Sequence, residues 1–99
     1  MIVIKNLRIE HLSYPYQVDC SRKSVLGNPF HMTDETMRDD VCDKYENWFN
    51  INYRKEPYIS RLREMYKIHK QYGNLELFCW CSPKRCHTET IKRFLDQYV

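Results

Sequence analysis

Leu75 to Cys81 is an apolar run in which only Glu76 is charged, and it lies between the turn signals Gly73-Asn74 and Ser82-Pro83. A run this short, bounded in this way, reads as a buried β-strand. Ser82-Pro83 stops it, because proline has no N–H to give to a ladder and disfavours helix in the residue before it. Past that point the period changes: Ile91, Phe94, Leu95 and Tyr98 recur at helical spacing, which predicts a helix over 87–98. Three cysteines, a histidine and two cations (Cys79, Cys81, Lys84, Arg85, Cys86 and His87) therefore sit where a strand ends and a helix begins. In α/β folds ligands bind at such junctions, in the crevice beyond the carboxyl ends of the strands.

The rest of the chain supplies the other layers. Ile2-Val3-Ile4 is β-prone, and Lys5-Asn6 ends or turns it. Tyr14-Pro15 marks the start of a second strand over Tyr16 to Cys20. Thr33 is an N-cap candidate, with Asp34 and Glu35 at the positive end of the helix that follows. Met37, Val41, Tyr45, Trp48 and Phe49 give that helix, over 34–50, its apolar stripe. Pro57, as a first-turn proline, opens another helix that runs to Tyr72 and ends at Gly73-Asn74. The order strand, strand, helix, helix, strand, helix predicts one small α/β domain over residues 1–99. Its short sheet is parallel or mixed and flanked by three helices, the two-helix segment being long enough for a crossover.

Composition bounds the function. The net charge of +3 suits an anionic ligand but falls short of the basic footprint of a dedicated nucleic-acid binder. The first twelve residues lack a signal-peptide core, and no apolar run reaches membrane-spanning length. A cytoplasmic, reducing location is expected, where five cysteines serve as thiols or metal ligands rather than as a disulfide framework. Cys42, in mid-helix, reads as a small buried hydrophobe.

At the junction, alternation on a strand puts Cys79 and Cys81 on one face, with Trp80 on the other. Cys86 falls near the N-cap of the last helix beside Lys84 and Arg85, which favours a thiolate. Three readings stay open. Cys86 is a nucleophile with His87 as acid/base; or Cys79, Cys81, Cys86 and His87 bind zinc or iron, with Cys20 or His31 completing the set; or the thiols only pack and the cations bind an anion. C-x-C-x4-C-H is not a standard zinc spacing.

Arg22 to Phe30 is a polar loop with a Gly-Asn-Pro turn. Either it caps the core, or it brings Arg22, Ser24 and Asn28 to the same rim, with Arg38 in reach from the helix. Leu26-Gly27-Asn28-Pro29-Phe30, the Arg38…Tyr45…Trp48 helix and Leu77-Phe78-Cys79-Trp80-Cys81-x-Pro83-x-x-Cys86-His87 together resemble a bacterial and phage family known as a domain of unknown function (family 4326). Asp19-Cys20-Ser21 departs from the pattern before Arg22. The resemblance implies a bacterial or phage protein in the cytoplasm (the host's, if viral), with both motifs in one site.

The expected function is therefore binding or processing of a phosphorylated or nucleotide-like ligand. Arg22, Ser24, Asn28, Arg38, Lys84 and Arg85 are its ligand-binding residues, and Cys86 and His87 its catalytic pair. The alternative is a metal-binding module, or one that contacts nucleic acid or a host protein; the nucleic-acid case predicts affinity that falls steeply with salt.

Overall fold

Branched and aromatic residues at the three β-prone runs pair into one sheet. In the computed structural model, which describes residues 1–9, 11–82 and 84–98, β1 is Ile2–Asn6, β2 is Gln17–Asp19 and β3 is Leu75–Cys79. The strand order is β1-β3-β2, and both pairings are parallel. Parallel neighbours cannot be joined by a hairpin, so the chain crosses over from β2 to β3 through two helices, α1 (Arg38–Asn52) and α2 (Tyr58–Tyr72). A third helix, α3 (Thr88–Asp96), follows β3. The expected small α/β architecture is what forms, with the sheet wholly parallel.

As the central strand, β3 has almost no exposure: Leu75, Leu77, Phe78 and Cys79 are buried. That explains an apolar run without alternation, since both faces are covered. Helix α3 packs on β1 and β3, and α2 packs on β3. Glu76, half-buried, is satisfied by Gln17 Nε2 across the β2 pairing at 3.0 Å. Tyr45 and Phe49 of α1, Leu62 and Met65 of α2, and Ile91 and Leu95 of α3 close the core. Among the described residues no helix is long and apolar enough to cross a membrane.

Several boundaries differ from expectation. β3 ends at Cys79 rather than Cys81, because its partners run out: β1 ends opposite it at Asn6, and β2 one step earlier at Asp19. Beyond that point Asn6 Nδ2 donates to the Trp80 and Ser82 carbonyls and bends the chain away. Cys81 therefore does not share a strand face with Cys79, and Trp80 is a half-exposed residue of the bend. Pro83, expected to stop the strand, lies outside the described residues. The first long helix opens as a 3-10 turn, Glu35–Met37, capped by Asp34 rather than Thr33. The Asp34 carboxylate accepts from Thr36 N at 2.8 Å, while the Thr33 hydroxyl is turned to the Met37 sulfur. Pro57 precedes α2 as its cap rather than sitting in the first turn, and Gly73 closes that helix in the left-handed region at φ 69°.

The Ser21 to Gly27 turn is the tightest part of the loop after β2. Gly27 N donates to Ser24 O, Ser24 N donates to Ser21 O, and Leu26 drops into the core. A Cβ on Gly27 would lie 2.3 Å from the Arg22 carbonyl oxygen and 2.6 Å from that of Ser21. Both are backbone atoms and cannot swing aside. Gly27→Ala should accordingly destabilise the protein by about 1–3 kcal/mol. In urea denaturation this appears as a lower midpoint at unchanged slope. The buried Tyr45 hydroxyl donates to Leu26 O at 2.8 Å and fastens this turn to α1. Tyr45→Phe should cost about 1 kcal/mol in the same measurement.

Candidate functional site

The carboxyl ends of β2 and β3, the loop after β2, the start of α1 and the segment before α3 meet at one rim. A cavity of about 40 Å³ there is lined by Arg22, Asn28, Met32, Arg38, Val41, Cys42, Cys81, Arg85, Cys86 and His87. Seven of the residues singled out from sequence thus converge. Ser24, Lys84 and Cys79 do not line the cavity. The Ser24 hydroxyl turns back to Ser21 O at 2.6 Å. Lys84 is exposed and paired with Glu35 at 3.3 Å.

Two of the expected anion clamps are spent on structure. Arg85 bridges Asp39 at 3.0 Å and Asp43 at 2.8 Å, which lie four apart on one face of α1. Together with Lys84–Glu35, this fastens the segment before α3 onto the start of α1. Such exposed pairs add little stability one by one, but they set position. The N-terminus of α3 is also occupied, since the Glu89 carboxylate accepts from Cys86 N at 3.1 Å. Arg22 differs from these. Its Nη1 donates to the Asn28 and Phe30 carbonyls at 2.9 and 2.6 Å, and among the described residues it has no carboxylate partner. Asn28 is buried, its Oδ1 accepting from Phe30 N. The loop thus does both jobs weighed from sequence, closing on the core and delivering a cation.

His87 caps α3 and is buried. Its Nε2 lies 2.6 Å from the Cys20 carbonyl oxygen. A carbonyl can only accept, so the proton sits on Nε2 and Nδ1 carries a lone pair. Burial holds the imidazole down to about 4, so it is neutral at physiological pH. The ring packs edge-on to Tyr45. Its Nδ1 is 3.4 Å from Cys86 Sγ. Adjacent positions on a helix would point apart, but Cys86 precedes the helix, and this frees the two side chains to meet.

The thiols depart most from expectation. Cys86 is buried and is raised well above the ordinary thiol range, because its S–H is donated to Cys79 and Cys81, and burial adds to this. It is the proton holder of the cluster, and the expected low-pKa thiol is Cys81 instead. The hydrogen bond from Cys86 comes first, and the Arg38 guanidinium and the Arg22 charge add to it. Together they hold Cys81 down to about 5 against its partial burial. One S–H proton serves one sulfur at a time, so Cys79 competes for it. Cys79, enclosed on β3 with the Thr88 hydroxyl 3.7 Å away, lacks the guanidinium. Arg38 is itself oriented by Glu35 at 2.7 Å and by the Arg85 carbonyl at 2.9 Å. Sequence reasoning singled out Cys81 as a possible metal ligand but gave the low-pKa role to Cys86, because the pairing that ends β3 early is not written in the residues around it. It also missed Met32 and Val41, apolar wall residues with no chemical signature. Cys42 is buried as expected, its thiol pushed up by that burial, and it forms part of the same wall.

His87 turns one ring nitrogen to the Cys20 carbonyl and the other, with its lone pair, toward the Cys86 sulfur. Among the described residues no group of three or more His, Cys, Asp or Glu is placed to hold an ion.

The chain belongs to the family described as a domain of unknown function (DUF4326), which it matches over residues 5–97. This bears out the family resemblance read from the sequence. No curated protein and no solved structure matches the chain.

Iodoacetamide labelling followed by peptide mapping tests the thiol assignment. Cys81 should react throughout the neutral range and lose reactivity as pH falls through about 5, where the thiolate is protonated. Arg38→Ala should move that midpoint toward the ordinary value of about 8.5. An ordinary midpoint in the unsubstituted protein would remove the poised thiolate.

Proposed function

We propose that the rim binds the anionic end of a small phosphorylated or nucleotide-like ligand beside a reactive thiolate. In this reading Cys81, rather than Cys86, contacts the ligand. Cys86 with His87 manages the proton, and Arg22 and Asn28 receive the anion. The observation that carries the reading is Arg22, a guanidinium at the cavity with no carboxylate partner among the described residues, a few side chains from Cys81. The cavity takes one end of a ligand and not a whole nucleotide. A phosphate dianion and a thiolate repel each other, so the phosphoryl group belongs on the Arg22 side and the uncharged part of the ligand over Cys81. The place proposed for this work is the cytoplasm of a bacterium or of a phage's host. The metal-binding and macromolecule-binding alternatives draw on the same residues.

Protection from labelling tests the proposal. AMP and inorganic phosphate should each slow Cys81 alkylation, with AMP the stronger. Arg22→Ala should weaken AMP about tenfold or more, the loss of one charge-assisted contact. Arg22 also ties its own loop, so Arg22→Lys serves as the companion variant. It keeps the charge, and should retain part of the affinity. Neither protection nor calorimetric binding with AMP or phosphate at millimolar concentration would overturn the reading.

A further inference from the structure

Five cysteines of this chain are free, and only Cys81 is partly open to solvent. It lines the cavity together with Cys86, which is buried, so a partly accessible sulfur and an enclosed one border the same opening. The Arg38 guanidinium lines that opening with them. Cys79 is buried on β3 and does not line the cavity. The opening is narrow: about 40 Å³ admits a slender group not much larger than a water or two. A partly exposed thiol beside a guanidinium, with a second, enclosed thiol at the same opening, is the arrangement that two-electron oxidants act on.

We propose that Cys81 and Cys86 are a hydroperoxide-reducing pair, Cys81 attacking the peroxide and Cys86 resolving it to an intramolecular disulfide. In the first step the Cys81 sulfur attacks the terminal oxygen of a small hydroperoxide, ROOH. The S–O bond forms and the O–O bond breaks. The alkoxide takes a proton from solvent and leaves as ROH, and Cys81 becomes a sulfenic acid. Arg38 favours this step by stabilising the negative charge that passes to the departing oxygen. In the second step the Cys86 sulfur attacks the Cys81 sulfur. The S–S bond forms and the S–O bond breaks, and the Cys86 proton leaves with the hydroxide as water. His87 Nδ1, a lone-pair acceptor 3.4 Å from Cys86 Sγ, is placed to take that proton in passing. Two thiols lose two electrons in all, and the peroxide is reduced to an alcohol and water. Exchange with an external dithiol returns the pair to its reduced form.

This inference does not rest on the phosphorylated ligand. It stands if AMP and phosphate fail to bind, and it falls by its own test. Reduced protein is treated with one equivalent of hydrogen peroxide and analysed by intact mass and peptide mapping. The expected result is loss of two hydrogen masses, a Cys81–Cys86 linkage and full recovery with dithiothreitol. Arg38→Ala should slow the reaction about tenfold or more, and Cys79→Ser should leave the linkage intact. In Cys86→Ser the sulfenic acid has no resolving partner, and dimedone should trap it at Cys81. A Cys79–Cys86 linkage, disulfides only between chains, or equal slow oxidation of all thiols in the unsubstituted protein would overturn the proposal, whatever the variants' stability.

Discussion

Everything at the rim depends on the hydrogen-bonded placement of β3 between two parallel partners. Neither side of this strand is an edge, so it has no exposed ladder to protect, and apart from the half-buried Glu76 its side chains are buried. The lengths of its neighbours then decide where the regular structure stops. Because β1 ends at Asn6 and β2 at Asp19, the chain is released from the sheet after Cys79 and can be steered by the Asn6 side-chain amide. A strand two residues longer would have carried Cys81 into the sheet, away from both arginines. The chemistry of the rim is thus a consequence of how far two other strands extend.

The second constraint is one of proton counting. Three sulfurs and one imidazole nitrogen crowd together, and the environment of each settles how readily it holds a proton. Cys86 is enclosed, and the Cys79 and Cys81 sulfurs together with burial outweigh the hydrogen bonds from Thr88, so it keeps the proton. Cys81 faces a guanidinium and is relieved of its own. His87 is fixed in one tautomer by the Cys20 carbonyl, which is itself delivered by the end of β2. Sheet, loop and helix each supply one term, and removing any one of them redistributes the charge among the others.

Much of this was legible beforehand. The strand within the apolar run 75–81, the stripes on the two long helices and the Gly73 helix end follow from local patterning, and the crossover follows from chain length and parallel pairing. The meeting of Arg22, Asn28, Arg38, Cys86 and His87 was readable because the ends of parallel strands share one rim. What local sequence does not carry is the partner of each charge. Lys84 and Arg85 look like anion clamps until Glu35, Asp39 and Asp43 are placed beside them from a helix some forty residues earlier. Likewise the choice between Cys81 and Cys86 turns on which one is enclosed. That depends on the strand register and on the packing of α3, and the residue types around the two cysteines are silent on it.

The rim also has a history in folding time. Its cation-bearing half, through Arg38, belongs to the first part of the chain, and its sulfur-bearing half follows the whole two-helix crossover. Contacts so far apart in sequence form late, after the entropy of closing a long loop has been met. A chain interrupted before β3 therefore has arginines without their sulfurs. A chain whose sheet has not closed carries cysteines no more reactive than those of a short peptide. Reactivity in this protein reports that folding has finished.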